Sequence, residues 1–386
     1  MFTRWLEFPK NRSVLLIGPR RSGKTTLLRS RFPDYAYATL DDFDLLLWAR
    51  SDPKGFVAGL GRQMIIDEIQ RCPKLTVAVK HVIDENGARV LMSGSSTLGL
   101  LDVAADSLAG RVEIASLPTA CWGEEEGAPT HEVFGGRANP AQLAEANRRL
   151  EAALAFGQFP ELLGLGSAEE KRQLLRNYRD TYFLRDLMQL ASLENAEGMR
   201  GILHHLCRSI GSHLEIAGFA REAGVSVPTA RKYLNSLSQA QLVFKLYGHP
   251  FTAAKRFIKA AKSYFCDVGV MQSLNAGPSD GQVLENFVLA ELEKRRKLGS
   301  IDSEGFHFFK TPAGLEVDAV WEDRLGLNAV EIKSSARVGA QDTRRLNSFS
   351  RRVDKPCRCY LFYRGLEYRR LGVVEAIPAA ALWRGR

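Results

Sequence analysis

What the chain lacks narrows it first. No apolar run approaches the roughly 20 residues that a membrane-spanning helix needs. The opening stretch, MFTRWLEFPKNRS, has no apolar centre of the secretory kind. A cytoplasmic location and no membrane partner are therefore expected. Cysteine is sparse: six, at 72, 121, 207, 266, 357 and 359. Only Cys357 and Cys359 lie close together, and no second pair completes a zinc set. Alternation puts both on one face of a strand, as buried free thiols. No internal repeat is evident. Nor is charge of one sign gathered in one place. Lys and Arg number 53 against 44 Asp and Glu, a net +9. The excess is spread through doublets such as Arg20-Arg21, Lys255-Arg256, Arg344-Arg345 and Arg351-Arg352. That balance permits a nucleic-acid partner without specifying one. The densest run, Lys294-Arg295-Arg296-Lys297, closes an expected helix, where it would complement the helix dipole. At 386 residues the chain exceeds one typical core, so two or three domains are expected.

What is present begins at residue 14. VLLIGPRRSGKTTLL runs from an apolar strand through Gly18-x-x-x-x-Gly23-Lys24-Thr25 into an apolar helix. This is a phosphate-binding loop in the context it requires, strand then loop then helix. Glycines let backbone N–H groups converge on phosphate oxygens, and the helix N-terminus adds a favourable field. Lys24 is assigned to the β- and γ-phosphates of ATP and Thr25 to Mg²⁺. Arg21, Ser22 and Thr26 lie in or beside the loop and join Gly18 and Gly23 as nucleotide contacts. With glycine near 7% of average composition, a chance match in a chain this long is on the order of one in a hundred.

About forty residues on comes Met64-Ile65-Ile66-Asp67-Glu68, a buried strand with two carboxylates at its C-terminal end. Open α/β sheets bind ligands there. Asp67 suits Mg²⁺ held through water, and Glu68 suits orienting the attacking water. A third strand, Arg89–Met92, ends in Ser93-Gly94-Ser95-Ser96, whose hydroxyls either sense the γ-phosphate or punctuate a loop. Arg111, in Leu108-Ala109-Gly110-Arg111, is either an arginine finger offered to a neighbouring subunit or a surface arginine.

Residues 141–210 are rich in Ala, Leu, Glu and Arg and read as a helical lid. Glu124-Glu125-Glu126-Gly127-Ala128-Pro129 is polar and turn-rich, and marks a boundary. From His213 to Leu234 the pattern is helix, glycine turn at Gly224, helix, with Ser226 as cap and Pro228 in the first turn. An apolar hairpin beginning at Leu242 follows like a wing. Either Thr229, Arg231 and Lys232 contact DNA, or the element is a structural joint with non-specific phosphate contacts.

Further on, GLEVDAVWEDRLGLNAVEIKSS (314–335) makes two alternating strands around a turn. With the turn at Asp323–Gly326, Glu322 faces Leu327, Asp318 faces Glu331 and Glu316 faces Lys333. The second pairing sets like charges opposite each other, and a divalent cation between them would reverse its sign. A charged hairpin face is the plain alternative. Glu285 lies near the start of a helix upstream.

GPRRSGKTTLL, LDDFD at 40–44, IIDEIQR at 65–71, SGSS at 93–96, LAGR at 108–111, FGQFPEL at 156–162 and YRDTYFLRDL at 178–187 together resemble a family of AAA+ ATPases common in bacteria and archaea. The likeness covers nearly the whole chain. It implies an α/β fold: a P-loop AAA+ core (1–135), a helical lid (136–205), a winged helix (206–265) and a C-terminal restriction-endonuclease-like domain (266–386). By that likeness Ser95 or Ser96 is similar to a sensor and Arg111 to a finger, with Arg179 and Arg185 as rivals. The C-terminal cluster resembles the PD-(D/E)xK nuclease core. That implies Glu285, Asp318 and Glu331 as Mg²⁺ ligands and Lys333 as the residue that positions water for phosphodiester hydrolysis. The expected protein is an ATP-hydrolysing, ring-forming homo-oligomer that processes DNA. The alternatives are a nucleotide-dependent switch for a protein partner, or a DNA-binding ATPase whose nuclease domain is inactive.

Overall fold

Five consecutive apolar or small residues, Ser13–Ile17, form the first strand (β1), buried throughout. A strand covered on both faces reads as a continuous apolar run, which is why it belongs inside a parallel sheet. In the computed structural model the described residues are 2–95, 108–127, 130–183, 188, 195–249 and 261–386. Contacts divide the chain into two compact units, Arg4–Thr119 with Gln239–Gln241, and Met1–Thr3 with Ala120–Ser238 and Leu242–Arg386.

In the first unit β1 is joined by β2 (Ala36–Thr39), β3 (Gln63–Asp67), β4 (Arg89–Gly94) and β5 (Val112–Ser116) in the order β2-β3-β4-β1-β5. Every pairing is parallel. β1 thus lies between two strands distant from it in sequence, and the loop after it opens where the chain's progress across the sheet reverses, the position where such sheets bind ligands. Helices α1 (Lys24–Arg31), α2 (Phe43–Ser51), α3 (Pro53–Gly59) and α4 (Leu75–Asn86) complete the unit. Asp42 caps α2 and Asp52 caps α3 through their carboxylates. Leu15, Ile17, Phe56, Met64, Ile66, Val79, Val90 and Met92 are buried in one apolar core.

The second unit opens with helices α5 (Pro140–Phe156), α6 (Pro160–Leu163) and α7 (Ala168–Asn177), followed by a π-helical turn over Tyr178–Phe183. Then come α8 (Ala196–Arg208), α9 (Ile216–Glu222) and α10 (Val227–Gln239). Gly224 has φ +61° between α9 and α10, and the Thr229 N–H donates to the Ser226 hydroxyl at 3.2 Å. The helix–turn–helix therefore forms as its turn residues require. Arg231 and Lys232 are exposed.

The expected wing takes a different form. β6 (Val243–Gly248) and β7 (Ala261–Phe265) pair antiparallel, but β6 also pairs in parallel with β8 (His307–Lys310). The hairpin is thereby the edge of an eight-stranded sheet, completed by β9 (Glu316–Asp323), β10 (Gly326–Lys333), β11 (Cys357–Tyr363), β12 (Arg369–Leu371) and β13 (Val374–Pro378). Its order is β12-β13-β11-β10-β9-β8-β6-β7, and the boundary expected at 265 falls within it. Helices α11 (Val268–Ser273), α12 (Asp280–Lys297) and α13 (Arg344–Ser350) belong to this unit. The architecture is mixed α/β, a parallel sheet and a second, mixed sheet, in agreement with the expected class. No described helix is long and apolar enough to cross a membrane.

The basic run that closes α12 is not a solvated helix end. Lys294 is 4% exposed and Arg295 is fully buried. Arg295 donates to the Glu291 carboxylate at 2.6 Å and to the Gly385 carbonyl at 2.7 Å. Lys294 reaches Glu291 at 2.8 Å and the Ala120 carbonyl at 3.0 Å. Cys357 and Cys359 do share a face of β11, Sγ to Sγ 3.8 Å, both free thiols, with Cys359 buried.

Candidate functional site

Gly23 caps α1 at φ +90° and Arg21 also takes a left-handed backbone, φ +61°. These two positive angles turn the chain sharply between β1 and α1. A Cβ on Gly18 would lie 2.1 Å from the Leu117 carbonyl oxygen, so only glycine lets the loop pass that close. Within the loop Lys24 is 5% exposed, and its ammonium donates to the Gly18 and Pro19 carbonyls at 2.9 and 3.0 Å. Burial pushes this ammonium down to about 8, with Glu68 and Asp67 pulling the other way. Ser22 is fully buried, and its hydroxyl has no hydrogen-bond partner among the described residues. Thr26 is exposed on α1.

The carboxylates at the end of β3 meet this loop. Asp67 is 4% exposed. Its Oδ2 accepts from the Thr25 hydroxyl at 2.8 Å and from the Tyr37 hydroxyl at 3.0 Å, and its Oδ1 accepts from the Ser93 hydroxyl. Burial and the neighbouring Asp67 raise the Tyr37 phenol to about 12, so it stays a donor. Glu68 takes a left-handed backbone, φ +58° and ψ +42°, uncommon for a side chain of this size. Its N–H donates to the Ser93 hydroxyl at 3.4 Å. Its carboxylate accepts from the Gln70 amide and from the Ser95 hydroxyl, the latter at 3.3 Å. Gln70 also reaches Ser95 at 3.0 Å.

The structure thus brings Lys24, Thr25, Asp67, Glu68 and Ser95 together at one end of the parallel sheet. Tyr37, Ser93 and Gln70 complete the network; Ser93 was among the candidate sensing hydroxyls, and Tyr37 and Gln70 were not assigned from sequence. Ser93 stood inside the SGSS stretch and Gln70 two residues after Glu68, so motif adjacency carried a signal for both. Tyr37 had none: only the parallel register, Thr39 beside Asp67, brings its strand alongside.

The arginines stand differently. Arg111 pairs with Asp84 of α4 at 2.6 Å and donates to the Ala109 carbonyl. Arg179 clasps Asp180 and donates to the Ser273 carbonyl at 2.7 Å. Arg185 and Ser96 lie outside the described residues.

These residues fit a magnesium-bound nucleoside triphosphate. A buried ammonium held by loop carbonyls suits phosphate oxygens, and a hydroxyl facing a buried carboxylate at 2.8 Å is a hard-oxygen donor pair.

The C-terminal carboxylates follow part of the expected register. β9 and β10 pair from Gly326–Asp323 through Leu327–Glu322 to Val330–Ala319, which sets Asp318 and Glu331 next in line. There the ladder yields, and the Asp318 carboxylate accepts the Ile332 N–H at 2.9 Å. Glu331 is fully buried. Its ion-pair neighbours are Lys333 at 3.3 Å and Arg345 at 3.8 Å. Glu285 accepts from the Tyr264 hydroxyl at 2.8 Å. Burial first, then the nearby Asp318, pushes the Glu285 and Glu331 carboxyls up, and burial raises Asp318 as well. Glu316 does not pair with Lys333. It is held by Lys310, its neighbour on β8, at 2.9 Å and by Lys262 of β7.

The expected Mg²⁺ set of Glu285, Asp318 and Glu331 does not fit an ion as arranged. Among the described residues no three or more His, Cys, Asp or Glu side chains are placed to hold a metal. Burial raises all three carboxyls and favours their protonated forms, and no metal-assisted step follows from this arrangement.

Residues 10–125 match the family described as AAA domain, and with the loop and carboxylates above they are an AAA-type, ATPase-like P-loop domain. Residues 147–280 and 280–382 match two domains of unknown function, DUF8612 and DUF4143. The chain is 30% identical over 293 residues to an uncharacterized protein of Mycobacterium tuberculosis, covering 72% of this chain and 62% of that protein. It is 26% identical over 315 residues to an uncharacterized protein of Methanocaldococcus jannaschii, covering 78% of this chain and 70% of that one. The chain therefore spans 62% of the length of the mycobacterial relative. Among solved structures it matches a signal transduction ATPase with numerous domains (STAND) with a tetratricopeptide repeat sensor, from Pyrococcus horikoshii. That match has 13% identity and a TM-score of 0.21 over 77% of this chain and 49% of that one, too low to bear on function.

Proposed function

We propose that the chain is a magnesium-dependent ATPase that works as an oligomer on DNA, with a C-terminal domain that holds nucleic acid without cutting it. The observation that carries the ATPase reading is the Thr25–Asp67 contact beside a Glu68 carboxylate held by Gln70 and Ser95. ATP is the substrate. Lys24 exchanges its two carbonyl partners for phosphate oxygens. Thr25 and Asp67 hold Mg²⁺, which when bound neutralises charge on the phosphates. Glu68 accepts a proton from the attacking water, and the Ser95–Gln70 pair keeps its carboxylate in place.

The arginine needed for charge on the transferring phosphoryl group is assigned to a neighbouring copy. Arg111 suits this because its bond to Asp84 is a surface ion pair, screened by water and readily exchanged. The DNA reading is supported by the net charge of +9 and by exposed Arg231 and Lys232 on α10. A nucleotide switch for a protein partner is the second reading. It is favoured by Phe43 and Leu47, one turn apart on α2 and 75% and 57% exposed.

ATP turnover measured with and without DNA, at low and at moderate salt, separates the two. Stimulation that fades as salt rises is expected. Unchanged turnover together with no DNA affinity at moderate salt would remove the DNA reading and leave the switch.

Gln70 provides a second check. Gln70→Ala frees the Glu68 carboxylate and is expected to lower kcat by about tenfold to a hundredfold, the scale of misplacing a reacting group by about an ångström. The KM for ATP should stay within about twofold, because the Gln70 amide donates to Glu68 and Ser95 and not to the phosphate loop. A rise in KM at unchanged kcat would assign Gln70 to binding instead.

A further inference from the structure

We propose that Lys262 is the resident cation of the C-terminal carboxylate cluster, and that while it is in place the cluster takes no divalent metal ion. The inference stands apart from the ATPase reading and uses none of its residues. Lys262 lies on β7 and is 1% exposed. A buried ammonium is retained only where acids compensate it. Here Glu316 pairs with it directly, and the Phe308 ring lies 5.6 Å from its nitrogen. Two residues along the same strand face, Tyr264 donates to Glu285 at 2.8 Å. One face of β7 thus supplies a cation and a hydroxyl to two of the acids.

Electrostatics extends the same arrangement to Asp318. The positive charge of Lys262 opposes the upward push of burial on both Glu285 and Asp318. On the far side Lys333 and Arg345 face Glu331. Each acid of the cluster is therefore matched to a side-chain cation or a donor from the chain itself. A divalent ion entering among Glu285, Glu316 and Asp318 would sit beside the Lys262 ammonium, and like charges in so dry a place repel strongly. The charge that the acid pattern calls for is supplied covalently, by a lysine that β-sheet topology brings from outside the hairpin.

The test is Mn²⁺ binding to the full chain without nucleotide, followed by calorimetry and electron paramagnetic resonance. Five proteins are compared: wild type, Lys262→Met, Lys262→Arg, Asp318→Asn, and Lys262→Met with Asp318→Asn. Wild type and Lys262→Arg are expected to match. Lys262→Met should gain one site at least about tenfold tighter than any wild-type binding, and the added Asp318→Asn should abolish it. Lys262→Gln serves in place of the methionine variant should that fail to fold, with thermal denaturation ± Mn²⁺ reporting the folded state. A wild-type Mn²⁺ site lost in Asp318→Asn would overturn the proposal. So would a folded Lys262→Met or Lys262→Gln protein that gains no site.

Discussion

Glu68→Gln is expected to bind ATP as the wild type does and to hydrolyse it about 10²–10⁴-fold more slowly, the usual contribution of a positioned general base. The substitution keeps a carbonyl oxygen where Gln70 and Ser95 donate, so the local hydrogen bonds survive. It also keeps a residue of the same length at the left-handed position, φ +58°. What it removes is the ability to take a proton. Lys24→Ala should divide differently, because Lys24 faces the loop carbonyls at 2.9 and 3.0 Å where phosphate oxygens would sit, and its loss strikes affinity first. Phosphate release in the steady state, read beside the dissociation constant of a fluorescent ATP analogue, distinguishes them. Unchanged turnover in Glu68→Gln would discard its role as base. Joint loss of binding and turnover would place Glu68 with the phosphate loop.

The parts of the site that were legible in the sequence are those whose partners are contiguous. Gly18 to Thr25 and Met64 to Glu68 each place their chemistry within one short segment, and each segment needs only its own strand to be read. Tyr37 became legible only when parallel register set β2 beside β3. The hairpin shows the same limit in one element. Its two-residue turn fixes Glu322 opposite Leu327, and that much followed from alternation. Glu316 lies near the open end, where β8 lies on the other side of β9, so Lys310 and Lys262 hold it instead of Lys333. No local pattern specifies which strand lies on the far side. The run Lys294–Lys297 closes its helix as expected, but no local pattern specifies the burial of Lys294 and Arg295, which depends on Glu291 together with carbonyls at Ala120, Leu382 and Gly385. The wing hairpin was readable as a hairpin, while its union with β8 was not.

That buried run carries the largest expected effect on stability. Arg295→Ala should cost about 3–5 kcal/mol, since removing one partner of a buried ion pair strands the other. Glu291 is the acid left behind. It accepts from Arg295 at 2.6 Å, from Lys294 at 2.8 Å and from the Trp122 N–H at 2.9 Å. Burial raises its carboxyl, but Lys294 and Arg295 outweigh that and hold it below its ordinary value of 4.5. Its folded-state value is therefore the lower one. The stability it contributes is present above the unfolded value and is lost as pH falls through the folded one, so acid should weaken the wild type more than Glu291→Leu. The double variant Glu291→Leu with Arg295→Ala should be less destabilised than the two singles added together, because both partners leave and Lys294 keeps Asp267 at 3.4 Å. It will not match wild type, since the Leu382 and Gly385 carbonyls each lose a donor, at about 1–3 kcal/mol apiece. Urea midpoints for the four proteins at pH 7 and at acid pH measure these terms. Additive losses across the cycle, or an Arg295→Ala midpoint within about 1 kcal/mol of wild type, would show that the pair is not coupled and that packing alone holds α12 in place.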